Sequence, residues 1–201
     1  MNIKTYFLLL LLPLFANTTS AQVDSIKIKN EKLYINKHLP LYLWVSSSPD
    51  GKSNAVKLDG TQNNRYANPF YLDTEGMNTI FPNYGTKLQK NEHRIYLPNL
   101  KYKVYSDGLP PISRYRLSNS KRSYEKGQFY YKKGLTISLS AIDGMSGTDN
   151  IYYKINDSEY KTYEQEIRLN ESGEFQIFFY AEDIVGNKEK PRKIILNIQA
   201  D

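Results

Sequence analysis

Residues 135–141 read Leu-Thr-Ile-Ser-Leu-Ser-Ala, with an apolar side chain at every second position. Successive side chains of a β-strand point to opposite faces, so this alternation places one face in an apolar core and the other in solvent. Residues 151–155, 175–181 and 194–198 repeat the pattern. No window has capped apolar residues at helical spacing, so the sequence predicts an all-β protein.

The first 21 residues have the layout of a secretory signal peptide. Lys4 precedes an almost unbroken apolar run at 7–15, and small residues at 19–21 come before Gln22. The run is roughly half of the ~20 apolar residues that a membrane-spanning helix needs. We therefore expect cleavage after residue 21, export, and no transmembrane segment in the mature chain. The expected location is the periplasm, the outer membrane or cell surface, or the medium.

Cysteine is absent from the 201 residues, and histidine occurs only at His38 and His93. The missing cysteine excludes disulfides, Cys-ligated zinc, Cys nucleophiles and a Cys-linked lipid anchor, and we predict no cofactor. Stability must then come from packing. The 18 tyrosines suit this because each ring buries apolar area while its hydroxyl stays in water.

An internal repeat indicates the domain organisation. A shift of 97 residues aligns 54–81 with 151–178 without a gap, and six of the 28 pairs are identical. Average residue usage would give roughly two identities. A period of ~97 residues fits a β-sandwich module and is too long for a solenoid unit.

We therefore predict two tandem antiparallel Ig-like β-sandwich modules, at 22–106 and 112–201. The linker at 107–111 ends in two prolines, which cannot continue a central strand. Gly76 and Gly173 occupy matched positions in the repeat. We expect a positive φ at both, since the chain reverses there between strands.

The second module carries successive landmarks of a bacterial Ig-like repeat. In order they are AIDGMSG at 141–147, IYYKIND at 151–157, Tyr163, Gly173 and YAEDIVGN at 180–187. The series resembles the OmpL-type β-domain of exported Gram-negative proteins, clearly over about 109–201 and weakly in the first module. The resemblance implies an antiparallel sandwich acting as a spacer, adhesive or ligand-presenting module, with no catalytic residues.

Four acidic residues near predicted turns offer oxygen ligands for calcium: Asp143, Asp149, Glu182 and Asp183. Calcium needs six to eight oxygens, more than these carboxylates provide without backbone and water. In the alternative, Asp183 accepts hydrogen bonds from its own turn while Gly186 and Asn187 adopt left-handed conformations. We favour the turn interpretation and predict no metal site.

Positive charge is concentrated in residues 101–133, which hold nine basic and two acidic side chains interleaved with aromatic rings. Such a segment can bind a polyanion such as lipopolysaccharide or acidic polysaccharide, whereas nucleic acid is not expected for an exported protein. The candidates for polyanion binding are Arg114, Arg116, Lys121, Arg122, Lys132 and Lys133. The alternative is a solvated outer face whose charges discourage edge pairing of strands.

These features favour a non-enzymatic cell-envelope protein acting in adhesion, assembly or ligand presentation, with a protein or glycan partner. The alternative is a carbohydrate-binding module in which Trp44 is the candidate glycan platform. An enzyme is disfavoured because the carboxylate pairs Asp73/Glu75 and Glu164/Glu166 lie at strand spacing, each pair on one face without a cleft.

Overall fold

The computed structural model describes residues 25–42, 44–46, 48–51, 53, 55–57, 69, 71–80, 102–119 and 121–199. These ranges contain strands and no helix, which confirms the all-β prediction, and none of them could cross a membrane as a helix. The predicted signal peptide lies outside them. The strands are β1 (Ile26–Lys29), β2 (Lys32–Asn36), β3 (Trp44–Val45), β4 (Val56–Lys57), β5 (Gly76–Ile80), β6 (Tyr102–Asp107), β7 (Ile112–Ser118), β8 (Arg122–Glu125), β9 (Gln128–Lys132), β10 (Leu135–Ile142), β11 (Thr148–Ile155), β12 (Lys161–Thr162), β13 (Ile167–Leu169), β14 (Gly173–Asp183) and β15 (Arg192–Gln199).

The chain after residue 111 forms two sheets that pack face to face as a β-sandwich. The smaller sheet has the order β13-β10-β7, and the larger has the order β12-β11-β14-β15-β9-β8. Leu135, Ile137 and Leu139 of β10 pack in the core against Ile177 and Phe179 of β14. The period-two pattern therefore identified the core face of β10 correctly, but Thr136 on the opposite face, expected in solvent, is also buried because it hydrogen-bonds to Asn119 and Gly134.

Before residue 108, the described strands form a four-stranded sheet, β1-β2-β6-β5, and a two-stranded ribbon, β3-β4. Strands β2 and β6 run parallel, as do β9 and β15 in the sandwich, so the chain is not antiparallel throughout. The strands of each pair are far apart in the sequence, and a parallel pair needs such a long connection. A small core of Ile35, Leu41, Leu72 and Val104 lies against the four-stranded sheet.

The matched glycines open two of the strands. Gly76 begins β5 with a φ of 91°, and Gly173 begins β14 with a φ of 146°, as expected for residues that need the freedom of glycine. Much of 54–81 lies outside the described residues, so the internal repeat stays a prediction. The predicted linker at 107–111 starts inside β6, which ends at Asp107, and β7 begins at Ile112.

Candidate functional site

A group of buried polar side chains lies where the four-stranded sheet meets the sandwich. We call this group the junction. Its members are Asn36 of β2, Asp107 of β6, Ser146 in the β10–β11 loop, Asp183 at the end of β14, and Asn187 in the following turn. Buried polar groups need hydrogen-bond partners, so their contacts define how the two parts are held together.

The Asp183 carboxylate organises the turn after β14. Its Oδ1 accepts the N–H groups of Val185 and Asn187 at 3.0 and 2.8 Å, which confirms that Asp183 binds its own turn. Gly186 has the predicted left-handed conformation, with a φ of 89°, but Asn187 does not have a positive φ, so that part of the prediction is wrong. The reason is that Asn187 closes the loop: its C=O also accepts the Asp183 N–H at 3.0 Å.

The side chain of Asn187 connects the turn to the four-stranded sheet. Its Nδ2 donates to Asp183 Oδ2 at 2.7 Å and to the Asp107 carbonyl at 2.9 Å. In return, Asn36 Nδ2 donates to Asn187 Oδ1 at 3.1 Å and to the Val185 carbonyl at 2.9 Å. The amide thus uses both of its polar ends across the boundary between the two parts of the fold.

The β10–β11 loop makes the second connection. The Ser146 N–H donates to Asp107 Oδ2 at 2.9 Å, and Lys29 Nζ of β1 donates to the Ser146 carbonyl at 3.0 Å. Within the loop, Asp143 Oδ1 accepts the N–H groups of Met145 and Gly147 at 2.8 and 2.6 Å. The loop is therefore shaped by one carboxylate and anchored to the sheet by another.

Three carboxylates converge at the junction, because Asp107, Asp143 and Asp183 each place an oxygen within 4.8 Å of the others. Burial raises the pKa of Asp183, although the Asn187 and Val185 donors oppose this, and the Asp107 charge adds to the rise. Asp143 and Asp183 are candidates from the sequence alone, whereas Asp107 is not, because it falls in the predicted linker at 107–111.

The other two calcium candidates lie apart from this cluster. Asp149 is exposed and accepts a hydrogen bond from Asn150 Nδ2 at 2.6 Å. Glu182 forms an ion pair with Lys188 at 3.4 Å. Both carboxylates thus have local partners of their own.

The six basic candidates occupy two places on the sandwich. Arg114 and Arg116 are exposed on β7, opposite Ser140 and Ser138 of the smaller sheet. The other four are exposed at the β8–β9 hairpin, on the edge of the larger sheet: Lys121, Arg122, Lys132 and Lys133. The chain changes sheets between β7 and β8, and this change separates the two groups.

The hairpin also presents aromatic rings. The Lys132 N–H donates to the Lys121 carbonyl, so these two lysines are cross-strand neighbours. The Arg122 guanidinium lies 5.0 Å from the centroid of the Phe129 ring. The ring centroids of Tyr124 and Phe129 are also 5.0 Å apart. Tyr124 and Phe129 are 65% and 47% exposed, so both rings reach solvent on the face of the hairpin that carries Arg122, whereas Lys121 and Lys132 point to the opposite face.

A second aromatic surface, not singled out from the sequence, covers the outer face of the larger sheet. Tyr152 and Tyr180 stack with ring centroids 5.1 Å apart, and Tyr160 meets Tyr180 edge-on at 5.1 Å. Lys154 and Lys193 lie 4.9 and 5.3 Å from the Phe178 ring. The sequence contains one sign of this surface, since β14 has aromatic residues at positions that point to both faces of the sheet. Trp44 lies elsewhere, 57% exposed on β3.

Comparison with known proteins gives no match, so the candidate sites are identified from their geometry alone. No family model, no curated protein and no solved structure matches the chain. The resemblance to the OmpL-type β-domain therefore stays a prediction that rests on the sequence landmarks alone.

Proposed function

We propose that this chain is an exported, non-enzymatic protein of the cell envelope, built from two Ig-like β modules, that acts in adhesion or assembly by binding an anionic polymer. The observation that carries the proposal is the β8–β9 hairpin. It carries two exposed rings and five exposed basic side chains at one sheet edge: Lys121, Arg122, Lys126, Lys132 and Lys133.

The hairpin carries basic groups on both of its faces and aromatic rings on the face of Arg122. Like charges on neighbouring strands repel each other, so the Lys121–Lys132 pair gains most from an anionic ligand that lies across both strands. On the other face of the hairpin, beside Arg122, Phe129 and Tyr124 offer apolar surfaces against which the rings of a lipopolysaccharide sugar or an acidic polysaccharide can stack. The expected partner is therefore a polymer carrying phosphate, sulfate or carboxylate groups.

Retention on heparin and on immobilised lipopolysaccharide tests the proposal. The hairpin variant Arg122→Glu/Lys132→Glu should elute at markedly lower salt than the wild type. Its matched control is Arg114→Glu/Arg116→Glu, which makes the same change in net charge on the smaller sheet. Equal losses in the two variants would show that net charge alone governs retention, and no loss in the hairpin variant would contradict the proposal.

Carbohydrate binding through stacking is the second candidate function. It is favoured by the outer face of the larger sheet, where Tyr152, Tyr180 and Tyr160 form one continuous aromatic group. A glycan array separates the two functions. Binding of neutral sugars that is lost in Trp44→Ala or Tyr180→Ala supports this candidate, whereas binding confined to sulfated or phosphorylated polymers supports the hairpin.

The proposed location has its own experiment. Fractionation of the producing cells, followed by protease treatment of intact cells, distinguishes a periplasmic chain from one at the surface. Recovery of an uncleaved chain in the cytoplasm would contradict the proposed export.

A further inference from the structure

We propose, in place of the sequence-based expectation of no metal site, that Asp107, Asp143 and Asp183, together with the hydroxyl of Ser146, form a Ca²⁺ site at the junction. The three carboxylates come from three separate segments and place oxygens within 4.8 Å of one another. Asp107 and Asp183 are buried and Asp143 is half-buried. This inference is independent of the proposed polymer binding, because no residue of the hairpin takes part.

The charges of the cluster are not balanced by a basic side chain. Among the described residues, no lysine, arginine or histidine forms an ion pair with any of the three carboxylates. Lys29, whose ammonium reaches the same loop, donates instead to the Ser146 carbonyl. Repulsion between carboxylates at this spacing is strong away from water, and a divalent cation converts it into attraction.

The hydroxyl of Ser146 is an independent sign of a ligand. Ser146 is 0% exposed, and its Oγ has no hydrogen-bond partner in the part of the chain that the structure describes. Its own N–H donates to Asp107, while the N–H groups of the two flanking residues donate to Asp143. The serine is thus held between two of the carboxylates with an unused oxygen, and an unpaired buried hydroxyl is costly unless a ligand takes it.

The donor set selects the metal. It consists of hard oxygen atoms without histidine or cysteine, which suits Ca²⁺ or Mg²⁺ rather than zinc or copper. Calcium accepts six to eight oxygens in irregular geometry, so backbone and water oxygens can complete the site. Asp107 belongs to the four-stranded sheet and the other ligands to the sandwich. The ion would therefore tie the two parts together.

The chelator-treated mature chain is titrated with CaCl2 in a calorimeter and melted with and without the ion. We expect one Ca²⁺ per chain and a rise in Tm of several degrees, with MgCl2 at equal ionic strength giving a smaller rise. Asp143→Asn keeps the Oδ1 acceptor of the loop and loses the charge, so calcium affinity should fall at least tenfold. Asp149→Asn, which alters an exposed carboxylate in the same region, should bind as the wild type does.

A serine pair separates ligation from packing. Ser113 and Ser146 both have a buried hydroxyl with no partner among the residues described, so replacing either with alanine removes the same kind of group. Calcium affinity should fall in Ser146→Ala and not in Ser113→Ala. A wild-type Tm that is unchanged at 10 mM calcium, or unchanged affinity in Asp143→Asn, would overturn the site. Unchanged affinity in Ser146→Ala would remove the serine from it.

Discussion

Asn187→Ala should loosen the junction more than any other single change of a neutral side chain there. The amide makes three side-chain hydrogen bonds: to the Asp183 carboxylate, to the Asp107 carbonyl, and from the Asn36 amide. Alanine removes all of them in a place that is 6% exposed, where water has little room to replace the lost groups.

The size of the stability loss depends on whether each partner of the Asn187 side chain keeps another hydrogen bond. The Asp107 carbonyl still accepts the Lys37 N–H, and Asn36 still donates to the Val185 carbonyl, so each of these losses costs only about 0.5 kcal/mol. The bond to the Asp183 carboxylate is charge-assisted and contributes about 2 kcal/mol. The free energy of unfolding should therefore fall by about 3 kcal/mol, and the Tm by roughly 6–12 °C for a chain of this size.

Urea unfolding followed by circular dichroism measures this loss. The control is Asn150→Ala, which removes one hydrogen bond, to the neighbouring Asp149, and should cost less than about 1 kcal/mol. Equal losses in the two variants would refute the reasoning, because the buried contacts of Asn187 would then contribute no more than a local bond. An unchanged m-value is needed for the comparison to hold.

Three other outcomes are expected. Because the pKa of Asp183 is raised, its carboxyl group binds a proton more tightly in the folded state than in the unfolded state. The free energy of unfolding, measured relative to Asp183→Asn by urea midpoints, should therefore rise as the pH falls from 7 towards the ordinary pKa of 3.8. Gly147→Ala should cost more than Gly127→Ala in thermal melts, since both residues have a positive φ but only at Gly147 would the new methyl group displace the Lys29 ammonium from its hydrogen bond to the Ser146 carbonyl. Phe179→Ala should cost about 3–5 kcal/mol because the ring is fully buried, whereas Phe129→Ala, 47% exposed, should cost far less in the same assay.

Structural features that depend on neighbouring residues could be predicted from the sequence. The alternation at 135–141 identified β10 and its buried face because period two is a property of the strand itself. The turn at Asp183 was predictable for the same reason: an aspartate four residues before Asn187 can accept the N–H groups of its own turn. Both features depend on residues that are close in the chain.

The candidate site was only half predictable, because it depends on pairings between distant segments. Asp107 reaches the cluster through the parallel pairing of β6 with β2, about 70 residues earlier, which no local pattern encodes. The charge count of 101–133 likewise located a basic segment but not the change of sheets that separates Arg116 from Lys121. The sequence shows which residue types are present but not where they lie relative to one another.

The junction and the hairpin should act independently, and this separates stability from binding. The contacts of Asn187 lie at the boundary of the two parts, whereas the β8–β9 hairpin lies at the edge of the larger sheet, next to β15. Asn187→Ala should therefore lower the Tm and leave the salt concentration of elution from heparin unchanged at 10 °C. The hairpin variant should do the reverse, because exposed charges contribute little to stability. Loss of heparin binding in folded Asn187→Ala would mean that the polymer contacts both parts of the fold, and the binding surface would then have to include the four-stranded sheet.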